Sequence, residues 1–402
     1  MLKKYHEVKL KLKKQKIILG NKIITPLKII ENGIIVINDG VIEYVGEGES
    51  RDLTSYDNIY KGEYIVPGFI DIHCHGGNGY DTMDSTYEAL KEISKFKAKN
   101  GCTGFLVTTV TSSIKDTFKA LNNICEYSKQ SPKEGAEILG VHLEGPFINT
   151  MQKGAQREDL IIPPSVEVMK KFIKESGGLI KIVTYAPELD TGFKFTSFLN
   201  DNGVIPSAGH SFADYETIIS AIRLGLKSSS HIFNQMKGIH HREPGTVGAI
   251  LTEKNLFAEI IADCIHVHPA IVNLLVKAKG VDKIILITDA MRAAGLQDGT
   301  YDLGGLKVIV KNSEARLESG NLAGGTLTMN RAVKNMVEKM SISIEKSIRM
   351  ASLNPAQLLG LDKYRGSLTP GKRADIVVLD DNFNVIYTIK KGKVIYSKDY
   401  GN

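Results

Sequence analysis

The middle of the chain, from residue 65 to about 361, alternates short apolar runs rich in β-branched residues with segments of helical period. Eight runs read as strands, at 64–72, 103–110, 138–143, 180–185, 204–208, 227–231, 256–262 and 283–288. Buried strands separated by helices indicate parallel pairing through helical crossovers. A (β/α)8 barrel of ~250 or more residues is the natural closure. An open doubly wound sheet is the structural rival, but no glycine-rich dinucleotide motif follows the first strand.

The two ends of the chain differ from this middle. Both contain short β-branched runs joined by turn signals, such as Asn38-Asp39-Gly40 near the start. We therefore expect an α/β protein in which residues 1–64 and 366–402 together form a small β-sandwich domain. Residues 65–365 form the barrel, and a β-hairpin is inserted at about 300–318.

Composition excludes several classes of protein. With 42% hydrophobic and 24% charged residues, the chain is neither disordered nor a membrane-spanning protein, since no apolar run approaches ~18 residues. The net charge of +6 suits a small anionic substrate better than nucleic acid. Four scattered cysteines indicate a reducing cytoplasm, and the lysine-rich start, Met1 to Lys16, lacks the apolar region of a secretory signal.

Metal-ligating residue types end five of the eight predicted strands. They are His73 and His75 after strand one, Glu144 after strand three, His210 after strand five, His231 after strand six and Asp289 after strand eight. Barrel enzymes build their sites at the carboxyl ends of the strands, so these side chains should converge at one mouth.

The combination of imidazole and carboxylate ligands suits a divalent ion such as Zn, Fe, Mn or Co. His73 and His75 are two residues apart on a strand and share one face, while Cys74 points to the other. Taken alone, a histidine that ends a strand is usually an ordinary hydrogen-bonding residue, and Asp289 alone could cap a turn. Five such strand ends together predict a metal site.

Several segments resemble a known family. Residues 66–75 (VPGFIDIHCH) resemble the opening of the amidohydrolase superfamily, and residues 370–378 (PGKRADIVV) resemble its C-terminal β-domain signature. More specific segments, from about Lys16 onward over nearly the whole chain, resemble the N-acetylglucosamine-6-phosphate deacetylases. These segments are HLEGPF at 142–147, AGHS at 208–211, HIFNQM at 231–236, REPG at 242–245 and ITDA at 287–290.

The resemblance implies roles for individual residues. Glu144, His210 and His231 match metal ligands of the family, and Asp289 matches its catalytic acid/base. The pair His73 and His75 resembles the form of the family that binds two ions per chain, and Asp289 is implied as a further metal ligand. The residues that match positions holding the sugar phosphate are Ala155, Asn234, Gln235, Arg242, His266, Leu322, Ala323 and Gly324. Gln156 stands where many relatives carry histidine, so the substrate contact at this position is an open question.

The implied activity is metal-dependent hydrolysis of N-acetyl-D-glucosamine 6-phosphate to D-glucosamine 6-phosphate and acetate, by a cytoplasmic homodimer or homotetramer. Its partner is a small phosphosugar, with no nucleic acid and no membrane. Asp289 is expected to take a proton from water and return it to the departing amine. The alternatives are the galactosamine epimer of the substrate, a dihydroorotase-type or adenine-deaminase-type amidohydrolase, and a non-catalytic scaffold that keeps only the fold.

Overall fold

The computed structural model describes residues 16–48, 58–130 and 134–398. Its centre is a sheet of eight parallel strands that are hydrogen-bonded in chain order. These strands are Phe69–Asp71, Cys102–Thr108, Glu137–Glu144, Ile180–Tyr185, Ile205–Ala208, Ser228–Ser229, Phe257–Ile261 and Ile284–Ile287. Every predicted barrel strand is present, and the strands are almost entirely buried, as expected of a sheet covered by helices.

The first and eighth strands close the barrel just beyond their ends. The Asp289 amide donates to the His73 carbonyl at 3.0 Å, and a parallel bridge joins Cys74 to Ala290. The two strand ends that carry candidate ligands are therefore held side by side by backbone hydrogen bonds.

Helices cover the outside of the barrel. They are Tyr87–Lys99, Ile114–Lys129, Val166–Glu175, Lys194–Asp201, Tyr215–Arg223, Gly245–Thr252, Pro269–Lys279, Met329–Glu338, Ile344–Ala351 and Leu353–Leu358. Helix Tyr87–Lys99 begins at the side-chain cap Thr86, which accepts from the Ala89 amide, and buries an apolar stripe that includes Leu90 and Ile93. No helix in the described part of the chain is long and apolar enough to cross a membrane.

Both ends of the chain contribute to one seven-stranded sheet. In spatial order its strands are Lys393–Ser397, Val385–Lys390, Ile376–Leu379, Asn58–Pro67, Lys16–Ile24, Ile29–Asn38 and Val41–Glu47. Strand Asn58–Pro67 joins the two ends, because it pairs antiparallel with Ile376–Leu379 and parallel with Lys16–Ile24. A separate cluster of buried isoleucines and valines stabilises this domain.

The predicted architecture, a (β/α)8 barrel with a β-domain built from both ends of the chain, is confirmed. The domain boundaries at 64/65 and 365/366 stay predictions; the joining strand ends at Pro67, two residues before the first barrel strand begins at Phe69. The lysine-rich start lies outside the described residues, except for Lys16.

The insertion near residue 300 is a three-stranded antiparallel sheet rather than a hairpin, with strands Gly299–Leu303, Leu306–Lys311 and Glu314–Leu317. The first of these strands is mostly exposed and has no apolar alternation. Its sequence therefore carried no signal of a third strand.

Candidate active site

The Glu144 carboxylate is the centre of the cluster at the barrel mouth. Four histidine Nε2 atoms lie around it: His231 at 2.9 Å, His73 at 3.2 Å, His210 at 3.3 Å and His75 at 3.4 Å. His75 approaches Oε2, and the other three approach Oε1. The structure thus brings together side chains from strand ends one, three, five and six.

Asp289 completes the cluster from the eighth strand. Its Oδ1 lies 3.2 Å from His75 Nε2 and 3.6 Å from His73 Nε2. Burial raises the pKa of Asp289, but hydrogen bonding to His75 and the nearby histidine charges outweigh it and lower the pKa to about 2. Asp289 is therefore ionised at neutral pH.

The donor set fits a divalent cation. His73 Nδ1 is bonded to Glu259 at 2.9 Å and His210 Nδ1 to the Gln152 carbonyl at 2.7 Å, so both rings turn Nε2 inward. His73 Nε2 is buried, faces two carboxylates and has no hydrogen-bond partner of good geometry among the described residues. A nitrogen lone pair set against carboxylate oxygens is stable only with a positive charge between them.

Electrostatics lead to the same conclusion. Burial lowers the pKa of His73, but Glu144 and Glu259 more than offset it and raise the pKa well above its ordinary value. For His75, hydrogen bonds to Asp289 and Glu144 likewise outweigh burial and raise the pKa to about 9. Carboxylates that favour a proton on imidazole favour a bound cation in the same place.

Among the residues that the structure describes, three groups of side chains are close enough to hold an ion: His73, Glu144 and His231; His73, His75 and Asp289; and His73, His142 and Glu259. The third is better explained by hydrogen bonding. Both ring nitrogens of His142 are engaged, Nδ1 with the Ile72 carbonyl at 2.8 Å and Nε2 with Thr184 Oγ1 at 2.7 Å. The first two groups are therefore the candidate metal-binding groups within the described part of the chain.

A cavity of about 490 Å³, counted with its open mouth, leads to this cluster. Six of the predicted substrate residues line it: Ala155, Asn234, Gln235, His266, Leu322 and Gly324. Ala323 is fully buried between two of them.

Arg242 is not among the residues that line this cavity. It is exposed on the loop after the sixth strand, where its Nη1 donates to His241 Nε2 at 2.6 Å. Within a single chain, the structure does not bring this predicted phosphate ligand to the other site residues.

Two polar side chains in the pocket are held in fixed orientations. His266 Nδ1 donates to Asp263 at 2.6 Å, which leaves Nε2 for a ligand. Gln156 accepts from the Thr111 amide at 2.7 Å, so its amide group must donate to Glu144 Oε2, at 2.7 Å. Gln156 therefore supports Glu144 directly, a contact that the sequence did not reveal.

The sequence did not lead us to assign a role to Glu259, or to the buried group formed by Lys97, Asp71 and Thr288. Glu259 is fully buried in the otherwise apolar strand Phe257–Ile261. A lone glutamate inside an apolar strand is a signal that could have identified it, since an unpaired buried charge is costly.

Comparison with known proteins agrees with this geometry. Residues 64–395 match the family model of the Amidohydrolase family. The chain is 41% identical over 377 residues to the N-acetylglucosamine-6-phosphate deacetylase of Bacillus subtilis (strain 168), which covers 93% of this chain and 95% of the relative. It is 40% identical over 323 residues to the N-acetylgalactosamine-6-phosphate deacetylase of Escherichia coli O157:H7, which covers 80% and 85%.

Solved structures show the same similarity. A mutant N-acetyl-D-glucosamine-6-phosphate deacetylase from Mycobacterium smegmatis, in complex with N-acetyl-D-glucosamine-6-phosphate, superposes with a TM-score of 0.90 at 29% identity and covers 95% of this chain and 100% of its own. The Thermotoga maritima enzyme superposes with a TM-score of 0.84 at 37% identity and covers 94% and 98%. The chain therefore belongs to the amidohydrolase family, in the group that contains the N-acetylglucosamine-6-phosphate deacetylases.

Proposed function

We propose that this protein hydrolyses the N-acetyl group of N-acetyl-D-glucosamine 6-phosphate to give D-glucosamine 6-phosphate and acetate. The observation that carries this proposal is the convergence of four histidine Nε2 atoms on Glu144, with Asp289 beside them, at the end of a cavity that opens to the surface. The relatives named above share this chain's length and fold, which supports the same reaction here.

The site is proposed to hold two divalent ions. His73, His75 and Asp289 are proposed to hold one ion. Glu144 and His231, together with His210 at 3.3 Å from Glu144 Oε1, are proposed to hold the other. Glu144 contacts both halves of the site, since Oε2 faces His75 while Oε1 faces His73 as well as His210 and His231. The mixed nitrogen and oxygen donors suit Zn, Fe, Mn or Co. Such an ion, when bound, lowers the pKa of water and polarises a carbonyl oxygen.

Asp289 is proposed to carry the proton. Its carboxylate lies at the end of the cavity, 3.2 Å from His75 Nε2, and accepts a proton from the attacking water. The water oxygen adds to the acetyl carbon, the C–N bond breaks, and Asp289 returns the proton to the nitrogen, which leaves as an amine. His266, oriented by Asp263 and lining the cavity, is proposed to hydrogen-bond the substrate near the reacting carbonyl.

The rest of the cavity is proposed to bind the sugar phosphate through Ala155, Asn234, Gln235, Leu322, Ala323 and Gly324. Arg242 is proposed to reach the phosphate from a second copy of the chain, in a homodimer or homotetramer. Two observations support this: its guanidinium is exposed and bonded to His241, and the neighbouring Ile239 is 55% exposed. A planar guanidinium matches phosphate oxygens in pairs. We also place the protein in the cytoplasm, in agreement with the four free cysteines.

The galactosamine epimer is a second candidate substrate, because a relative that is 40% identical has that name. The test is amine release by the metal-loaded protein from N-acetylglucosamine and N-acetylgalactosamine, each with and without a 6-phosphate. We expect the 6-phosphate of N-acetylglucosamine to react fastest and both unphosphorylated sugars to react poorly. The Asp289→Asn variant is the matched control. No amine release from either phosphosugar would refute the proposal, and faster release from the galactosamine epimer would favour the alternative.

A further inference from the structure

Glu259 is a fully buried carboxylate in the middle of the seventh strand, Phe257–Ile261, whose other residues are all apolar. Its Oε2 lies 2.9 Å from His73 Nδ1, and its Oε1 has no hydrogen-bond partner among the described residues. A buried charge with one oxygen unpaired destabilises a fold, so packing alone does not account for a glutamate here.

The contact with Glu259 determines which nitrogen of His73 is available. Glu259 Oε2 and His73 Nδ1, 2.9 Å apart, share one hydrogen, and Glu259 as a carboxylate accepts it from Nδ1. In the neutral ring Nε2 then has the lone pair, and it faces Glu144 at 3.2 Å and Asp289 at 3.6 Å. Without Glu259, the tautomer that has its proton on Nε2 would be the more stable one, because Nε2 could then donate to Glu144.

We infer that Glu259 is a positioning residue that keeps the proton of His73 on Nδ1 and so makes Nε2 a ligand for the ion of the first-strand half of the site. The inference rests on the two-ion part of the proposed function. Such a partner behind a ligating histidine typically changes metal affinity by 10–100-fold.

Glu259 is not itself placed as a ligand. It forms a possible ion-binding group only together with His73 and His142. Both nitrogens of His142 are already bonded, to the Ile72 carbonyl and to Thr184. His73 Nδ1, the ring atom that contacts Glu259, is hydrogen-bonded to the carboxylate itself. Neither histidine therefore has a nitrogen left to coordinate an ion beside Glu259.

The test is Zn²⁺ binding by the metal-free protein, with stoichiometry from elemental analysis and affinities from competition with a chromophoric chelator. Glu259→Leu should bind one of its two ions 10–100-fold more weakly than the wild type. Glu259→Gln should retain most of that affinity, because its amide oxygen accepts the same hydrogen bond. Ile260→Ala, on the opposite face of the same strand, controls for packing damage and should leave both affinities unchanged.

Thermal melting of the metal-free proteins separates positioning from a structural role. Glu259→Leu should melt no lower than Ile260→Ala, since it removes a poorly paired buried charge. Two ions bound by Glu259→Leu as tightly as by the wild type would overturn the inference alone, as would a Gln variant as weak as the Leu variant. A wild-type protein that binds a single ion would overturn the two-ion proposal and this inference with it.

Discussion

Lys97 and Asp71 form a buried ion pair directly beneath the candidate active site. Lys97 Nζ donates to Asp71 Oδ2 at 2.6 Å and to Thr288 Oγ1 at 3.0 Å, and Thr288 also donates to Asp71 at 2.6 Å. The exposed fractions of the Lys97 and Asp71 side chains are 2% and 0%. Asp71 is the last residue of the first strand, two before His73, and Thr288 follows the eighth strand directly before Asp289, so the group joins the two strands that close the barrel.

Lys97→Met removes the counter-charge and leaves the Asp71 carboxylate in the core with neutral donors only. Breaking a buried pair in this way costs about 3–5 kcal/mol. With an unfolding entropy of about 2.1 cal/mol/K per residue over 402 residues, this loss corresponds to a Tm lowered by about 4–6 °C. The effect should be measured on metal-free protein, so that ion binding does not contribute to the apparent stability.

Lys279→Met is the matched control. Lys279 is also buried, but it donates to the carbonyls of Ile250 and Glu253 at 2.8 and 2.7 Å, near the surface. Its loss should cost about 1–2 kcal/mol, since water can replace it. The double variant Lys97→Met/Asp71→Asn should lose less unfolding free energy than the two single variants lose in sum, and the difference should be about 1–3 kcal/mol. A Lys97→Met variant no less stable than the control, or additive losses in the double variant, would refute the reasoning.

Four further predictions concern the site and the acid stability. Replacing both His73 and His75 by Gln should lower the metal content from two ions per chain to one, and elemental analysis that gives equal content in both proteins would contradict the two-ion assignment. Asp289→Asn should lower kcat by about 10² to 10⁴ while the fold persists by circular dichroism, and near-normal turnover would exclude Asp289 as the proton carrier. Arg242→Met should lower kcat/KM by at least about tenfold for the 6-phosphate substrate, the low end for a charge-assisted hydrogen bond, and much less for the unphosphorylated sugar. Burial raises the pKa of Glu137, but two neighbouring arginines outweigh burial and lower the pKa from 4.5 to about 2. The carboxylate therefore stabilises the fold above about pH 4.5, and this contribution to stability is lost as the pH falls towards 2. Acid unfolding monitored by circular dichroism should therefore be shallower over this range in Glu137→Gln, and an unchanged curve would rule out this contribution.

Much of the fold was predictable because it is encoded locally. The period of the apolar residues marks strands and helices along the chain, and a barrel is the closure that eight alternating units favour. The weakly patterned strand Gly299–Leu303 was missed, since its side chains face solvent and no packing constraint acts on them.

The same logic applies to the candidate site. His73, His75, Glu144 and Asp289 were predictable because parallel strands bring their carboxyl ends to one mouth, whatever the details of pairing. The position of Arg242 could not be predicted in this way, because strand geometry does not fix a residue on a long loop. The structure leaves Arg242 exposed.

The sequence by itself indicated the barrel, the two β-rich ends and the candidate strand-end ligands, because each strand, helix and turn is encoded by residues close together in the chain. Only the tertiary structure decided that Glu259 supports His73 across 186 positions of sequence and that Lys97 neutralises Asp71 beneath the site. Both contacts join side chains of different elements inside the barrel. Their existence depends on register and on the low dielectric of a packed interior, which no local pattern records.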